Sequence, residues 1–179
     1  MVAEKAWAKL LGSYANSESG WNAWVLRYLT DDPVQVIRFD TFNNNPNTVA
    51  GKKMWQRLLH WSEREYLIFS STNDKSFVKF HTYTVLSAKE AYINGKKVRL
   101  LLMRNPWGKV KWKGAWSEGS KQYKALEAQM DVEIGREGGK FLMSYEDFLK
   151  HMVDVTMSYS QESRTGEAER PEFHPQLSL

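Results

Sequence analysis

The chain has 179 residues, 25 of them basic and 21 acidic for a formal charge of +4, with 42% hydrophobic residues, 13% aromatic and no cysteine. That length and balance specify one globular domain with its own core. The missing cysteine excludes disulfides, thiolate metal sites and a thiol nucleophile among these residues. No secretory leader or membrane-length apolar run is evident, so a cytoplasmic protein with no membrane partner is expected.

Residues 4–11 set Trp7, Leu10 and Leu11 at helical spacing, and Gly12 follows as a stop signal. A second helix is expected over residues 21–29, where Trp21, Trp24, Val25 and Tyr28 share one stripe until Asp31-Asp32-Pro33 breaks it. The β-branched run Val34-Gln35-Val36-Ile37-Arg38-Phe39 predicts a strand, and Asn43-Asn44-Asn45-Pro46-Asn47 predicts a loop. A third helix fits residues 52–62, with Trp55, Leu58, Leu59 and Trp61 toward the core. Trp7, Trp21, Trp24 and Trp55 fall on helical stripes, so core packing is expected of them rather than a ligand-binding platform.

Strands are predicted over residues 66–69, 77–91 and 97–103. Between the last two, Asn94-Gly95 supplies the positive φ that a two-residue type I′ turn requires, so residues 77–103 read as a long antiparallel hairpin. A short strand over 109–112 would project Lys109, Lys111 and Lys113 on one solvated face. A helix over 120–130 carries Tyr123, Leu126 and Met130, and the turn Gly135-Arg136-Glu137-Gly138-Gly139 leads to Phe141-Leu142-Met143. Ser144 and Asp147 form a capping box for a helix bearing Tyr145, Phe148, Leu149 and Met152. The polar stretch 158–179, with Pro171 and Pro175, is expected to be a tail or linker beyond a domain of residues 1–157.

The chemistry concentrates on His81 and Asn105. His81 lies near the start of one hairpin arm and Asn105 just past the end of the other, so antiparallel pairing brings them together. An imidazole oriented by a side-chain amide is half of a Cys-His-Asn site. His60, His151 and His174 lack metal-ligand spacing, and residues 135–140 lack the order of a phosphate-binding loop. Basic clusters at Lys52-Lys53, Lys96-Lys97 and Lys109/Lys111/Lys113 alternate with acids such as Glu63, Glu65, Asp74, Glu90 and Glu118, so no nucleic-acid partner is expected.

Three blocks, Lys79-Phe80-His81-Thr82-Tyr83-Thr84-Val85, residues 100–108 ending Arg104-Asn105-Pro106-Trp107-Gly108, and Trp112-Lys113-Gly114-Ala115-Trp116-Ser117, together resemble the second lobe of the calpain protease core. Residues 4–14 resemble the passage between the calpain lobes, and residues 141–148 resemble the close of the second. Residues 15–75 match only in the order of elements. The resemblance implies an α+β fold: an antiparallel, barrel-like sheet with flanking helices, as in the C-terminal lobe of papain-like cysteine peptidases.

By this resemblance His81 is the general base and acid, Asn105 orients it, and Trp107 shields their hydrogen bond from water. The cysteine and an oxyanion-hole glutamine belong to the first lobe. A papain-type histidine follows its cysteine by roughly 130–150 residues, which places the nucleophile before Met1. The chain then needs a Cys-bearing first lobe as partner and a protein as substrate, and is inactive alone.

Two departures from the family pattern stand out. Phe80 holds a position that is usually glycine, so the cleft is expected to be narrowed or filled. The family's calcium loops carry Lys111 and Glu118 here in one, and Arg136, Gly138 and Lys140 in the other. Calcium needs several anionic oxygens, so no cofactor, and no calcium in this lobe, is expected. Two readings of other classes are a non-catalytic calpain-like interaction module with Phe80 filling its cleft, and a basic, Trp-rich single-strand binder. Gly-x-Cys-Trp ahead of these residues would mark the peptidase, and salt-sensitive strand binding would mark the last.

Overall fold

The computed structural model describes residues 2–42, 44–109, 112–130 and 137–159. The elements are α1 (Val2–Leu10), α2 (Asn22–Thr30), β1 (Val34–Arg38), α3 (Val49–Glu63), β2 (Leu67–Thr72), β3 (His81–Ile93) and β4 (Lys96–Arg104), followed by α4 (Lys121–Met130), β5 (Lys140–Ser144), α5 (Tyr145–His151) and β6 (Asp154–Ser158). The strands form one sheet in the order β1-β6-β2-β3-β4-β5, every neighbouring pair antiparallel. With helices on both faces this is the expected α+β lobe.

Local chemistry explains most of the elements. Asn94 (φ 50°) and Gly95 (φ 73°) turn the β3–β4 hairpin as a type I′ pair must. Thr48 caps α3 by accepting the Gly51 N–H at 3.0 Å, and Ser144 caps α5 by accepting the Asp147 N–H at 3.1 Å. Strands β4 and β5 carry continuous apolar runs, Leu100–Met103 and Phe141–Met143, because both faces of the sheet are covered there. Leu101, Met103, Phe141 and Met143 pack in the main core with Trp55, Leu58 and Trp61 of α3 and Phe148 and Leu149 of α5. On the opposite face Leu100 and Leu142 meet Tyr123 and Leu126 of α4. In β3 the pairing slips between Val85 and Ser87, so Tyr83 and Val85 share the main core with Ala88 despite the change of parity. Ser62 accepts the Ala88 N–H there at 3.0 Å.

Four expectations are corrected. Helix α2 buries Leu26 and turns Trp21, Trp24 and Tyr28 to solvent. The reason is polar: Asn22, one turn before Leu26, donates to Ser71 Oγ at 3.1 Å and accepts from Thr82 Oγ1 at 3.0 Å, which fixes the helix's rotation against the sheet. Trp7 is half-buried against Tyr28, while Trp55 is core as expected. Strand β3 starts at His81, not Phe77, because residues 73–80 fold into a loop. There Asp74 Oδ1 accepts the Ser76 N–H at 2.7 Å, and Phe80 takes a positive φ of 54°. Lys109 and Trp112 lie in irregular backbone rather than a strand. Finally, residues 153–157 signal no element and Ser158 is expected to open the tail, yet β6 forms between β1 and β2, with Ser158 opposite both Val34 and Leu67. Asn43, Val110, Lys111, Gly135, Arg136 and the expected tail from 160 onward lie outside the described residues.

Candidate active site

Asn105-Pro106-Trp107-Gly108 is a turn whose chemistry is legible residue by residue. Asn, Pro and Gly occupy the first, second and fourth places that β-turns favour for them, and the Gly108 N–H donates to the Asn105 carbonyl at 3.0 Å. The Asn105 side chain doubles the turn, its Oδ1 accepting the Trp107 N–H at 3.0 Å while Nδ2 donates to the Lys109 carbonyl. Asn105 is 1% exposed. Its amide orientation follows from two backbone groups alone, since an N–H can only donate and a carbonyl can only accept.

The second lone pair of Oδ1 meets His81 Nε2 at 2.8 Å. An oxygen that can only accept requires a proton on Nε2, so a neutral His81 is the Nε2–H tautomer, with its lone pair on Nδ1. No hydrogen bond to Nδ1 is made among the described residues. An imidazole so held can take a proton at Nδ1 while Nε2 continues to donate to the amide.

Topology brings the pair together. Thr84 lies opposite Arg104, and the same register carried three residues further sets His81 level with Trp107. The Trp107 ring rests on the imidazole with centroids 4.1 Å apart, and Tyr83 meets it edge-on at 5.0 Å. Trp107 is itself 66% exposed, so it covers His81 while its outer face meets solvent. The Tyr83 hydroxyl bonds the Val78 N–H at 3.4 Å, and desolvation by burial pushes this phenol above its ordinary range.

Two supports are not apparent from the motif. Tyr83 buttresses the imidazole. Gly139, whose carbonyl accepts the Asn105 N–H at 2.9 Å, presses the turn from behind. A β-carbon on Gly139 would stand 2.9 Å from the Gly108 Cα, and its φ is 79°. The glycine-rich turn is the sequence signal that such a close approach leaves, although its target is not readable locally. Arg104 donates to the Gly138 carbonyl at 3.1 Å and ties the same turn to the end of β4.

The region of the family's calcium loops is a cleft of about 680 Å³ lined by Lys113, Glu118 and Lys140 with Ser117, Ser120 and Tyr123. Lys111 and Arg136 are outside the described residues. Among the described residues the cleft offers one carboxylate, Glu118, beside Lys113 and Lys140, which is fewer anionic oxygens than calcium wants. Among the described residues no three His, Asp or Glu side chains gather as metal ligands would. No helix among them is long and apolar enough to cross a membrane.

A carboxamide-held imidazole at the end of such a sheet is the half-site that Cys-His-Asn proteases share. The family model described as calpain family cysteine protease matches residues 1–159, and the chain belongs to that family. The calpain-1 catalytic subunit of Mus musculus is 31% identical over 165 residues, covering 85% of this chain and 22% of that protein. The calpain-1 catalytic subunit of Sus scrofa is 45% identical over 163 residues, and calpain-14 of Homo sapiens 30% over 158, each covering 84% of this chain and 22% of the relative. The chain therefore spans about a fifth of the length of these relatives.

Proposed function

We propose that this chain is the His- and Asn-bearing second lobe of a calpain-like cysteine endopeptidase, inactive until a Cys-bearing first lobe docks against it. The lobe takes in residues 1–159, two beyond the expected boundary at 157, because β6 ends at Ser158 and Tyr159 packs against the core, and residues 160–179 are the tail or linker. His81 Nδ1 takes the proton of the partner's thiol, the thiolate attacks the peptide carbonyl, and the imidazolium returns the proton to the leaving amine. Asn105 fixes the tautomer that makes Nδ1 the basic atom, and Trp107 lowers the dielectric around their hydrogen bond. With this reading go a protein substrate and a cytoplasmic setting.

The observation that carries the reading is the Asn105 oxygen, held as an acceptor by the Trp107 N–H while it also meets His81. The interaction-module alternative rests on Phe80 obstructing the cleft once the first lobe is docked, and its ring is 80% exposed on this lobe; a wild-type assembly that takes no thiol-directed label would favour that alternative. The test is labelling of the assembled protease by a thiol-directed peptide inhibitor, with and without His81→Ala. Labelling of the variant is expected to slow by about a hundredfold or more. Equal rates would defeat the assignment of His81 as base.

A further inference from the structure

Phe80 stands directly before His81 in a conformation that suits glycine. Its φ is 54°, and its N–H is held by the Thr72 carbonyl at 2.9 Å. A bulky L-residue is strained there because its β-carbon crowds the backbone. The ring is 80% exposed, so little burial offsets that strain. Among the described residues the ring meets Lys79, whose Nζ lies 5.3 Å from the ring centroid and steadies it without burying it. Folding thus gains nothing from phenylalanine over glycine at this position, and strain kept beside reacting atoms points to a use there.

We propose that Phe80 is a specificity-determining residue that meets the substrate residue supplying the leaving amine and selects a large apolar side chain on it. This rests on the assignment of His81 as the base that returns a proton to that amine. Such a transfer needs the amine nitrogen about 2.6–3.2 Å from the imidazole. Consecutive Cα atoms are only about 3.8 Å apart, so the residue carrying that nitrogen passes within a side chain's length of Phe80. Trp107 already covers the imidazole at 4.1 Å and is exposed in turn. Phe80, next to His81 in the chain, and Trp107, stacked on it, each leave a ring largely exposed, and an apolar substrate side chain that reaches either ring removes its surface from water.

The experiment uses the assembled protease and two peptides that differ only in having Leu or Gly immediately after the scissile bond. The wild-type enzyme should prefer the Leu peptide in kcat/KM. Phe80→Gly should reduce that preference about tenfold, and Phe80→Leu should retain most of it. Unchanged preference in Phe80→Gly, or an equal rise in both rates, would overturn the inference, the second result marking the ring as an obstruction. The Phe80→Gly chain should also melt no lower than wild type, and a lower melting temperature would show that the ring serves the fold instead. A His81→Ala enzyme that still cleaves would refute the underlying base assignment. Loss of cleavage in that variant with unchanged preference in Phe80→Gly would refute the present inference alone.

Discussion

A β-carbon added to Gly139 would lie 2.5 Å from the carbonyl oxygen of Asn105, closer than real contacts allow. The two backbones are also hydrogen-bonded, Asn105 N–H to Gly139 carbonyl, so neither can retreat without breaking the bond that joins them. Gly139→Ala adds this clash to a positive φ of 79°. It is expected to destabilise the fold by about 2 kcal/mol, which lowers the melting temperature by about 4–8 °C for a domain of this size. The same change should push the Asn105 turn away from His81. A variant that melts with the wild type would show that the turn yields freely and that Gly139 is not its backstop.

The His81 tautomer is a second consequence of the Asn105 environment. Nitrogen NMR of the labelled chain, at a pH where His81 is neutral, should find the proton on Nε2. Asn105→Ala removes the acceptor and strands the Trp107 N–H and the Lys109 carbonyl. Losing these two part-buried hydrogen bonds is expected to cost about 1–3 kcal/mol. In that variant the ring nitrogens should report a mixture of tautomers. A wild-type imidazole protonated on Nδ1 would contradict the hydrogen-bond logic of the site.

What the sequence discloses divides along local and long-range interactions. Asn94-Gly95, the Ser144 box and the Asn105 turn are legible because each is settled within four residues. The same holds for α3, whose apolar stripe alone faces the core. Helix α2 misleads because Asn22 bonds to Ser71 and Thr82, distant in sequence, and those polar contacts outrank a stripe of aromatic residues. Strand β6 is silent for a related reason: five residues with little pattern become a strand only between β1 and β2. At the site, the His81–Asn105 meeting follows from hairpin pairing, whereas the approach of Gly139 depends on β5 lying beside β4. The parity change in β3 likewise comes from a pairing slip after Val85, which no alternation rule foresees.

The loop that leads into His81 should respond to acid. Asp74 Oδ2 meets His151 Nδ1 at 2.7 Å, and Asp74 Oδ1 accepts the Ser76 N–H, so loop 73–80 is fastened to the end of α5. His151 in turn lies against Phe77 and Trp112, with ring centroids 5.8 and 5.3 Å away. The Ser76 backbone bond first, and His151 second, hold the Asp74 carboxyl at about 2, below its usual 3.8. A carboxyl whose folded pKa is depressed contributes stability that is fully present above its unfolded value and lost as pH falls through its folded one. The window here runs from about pH 4 down to about pH 2. Urea midpoints of the wild type should therefore drop across that window more steeply than those of Asp74→Asn. The variant should be the weaker protein at pH 6, and the gap should close toward pH 2. A gap of constant size across the whole range would mean that the ionised carboxylate does not fasten this loop.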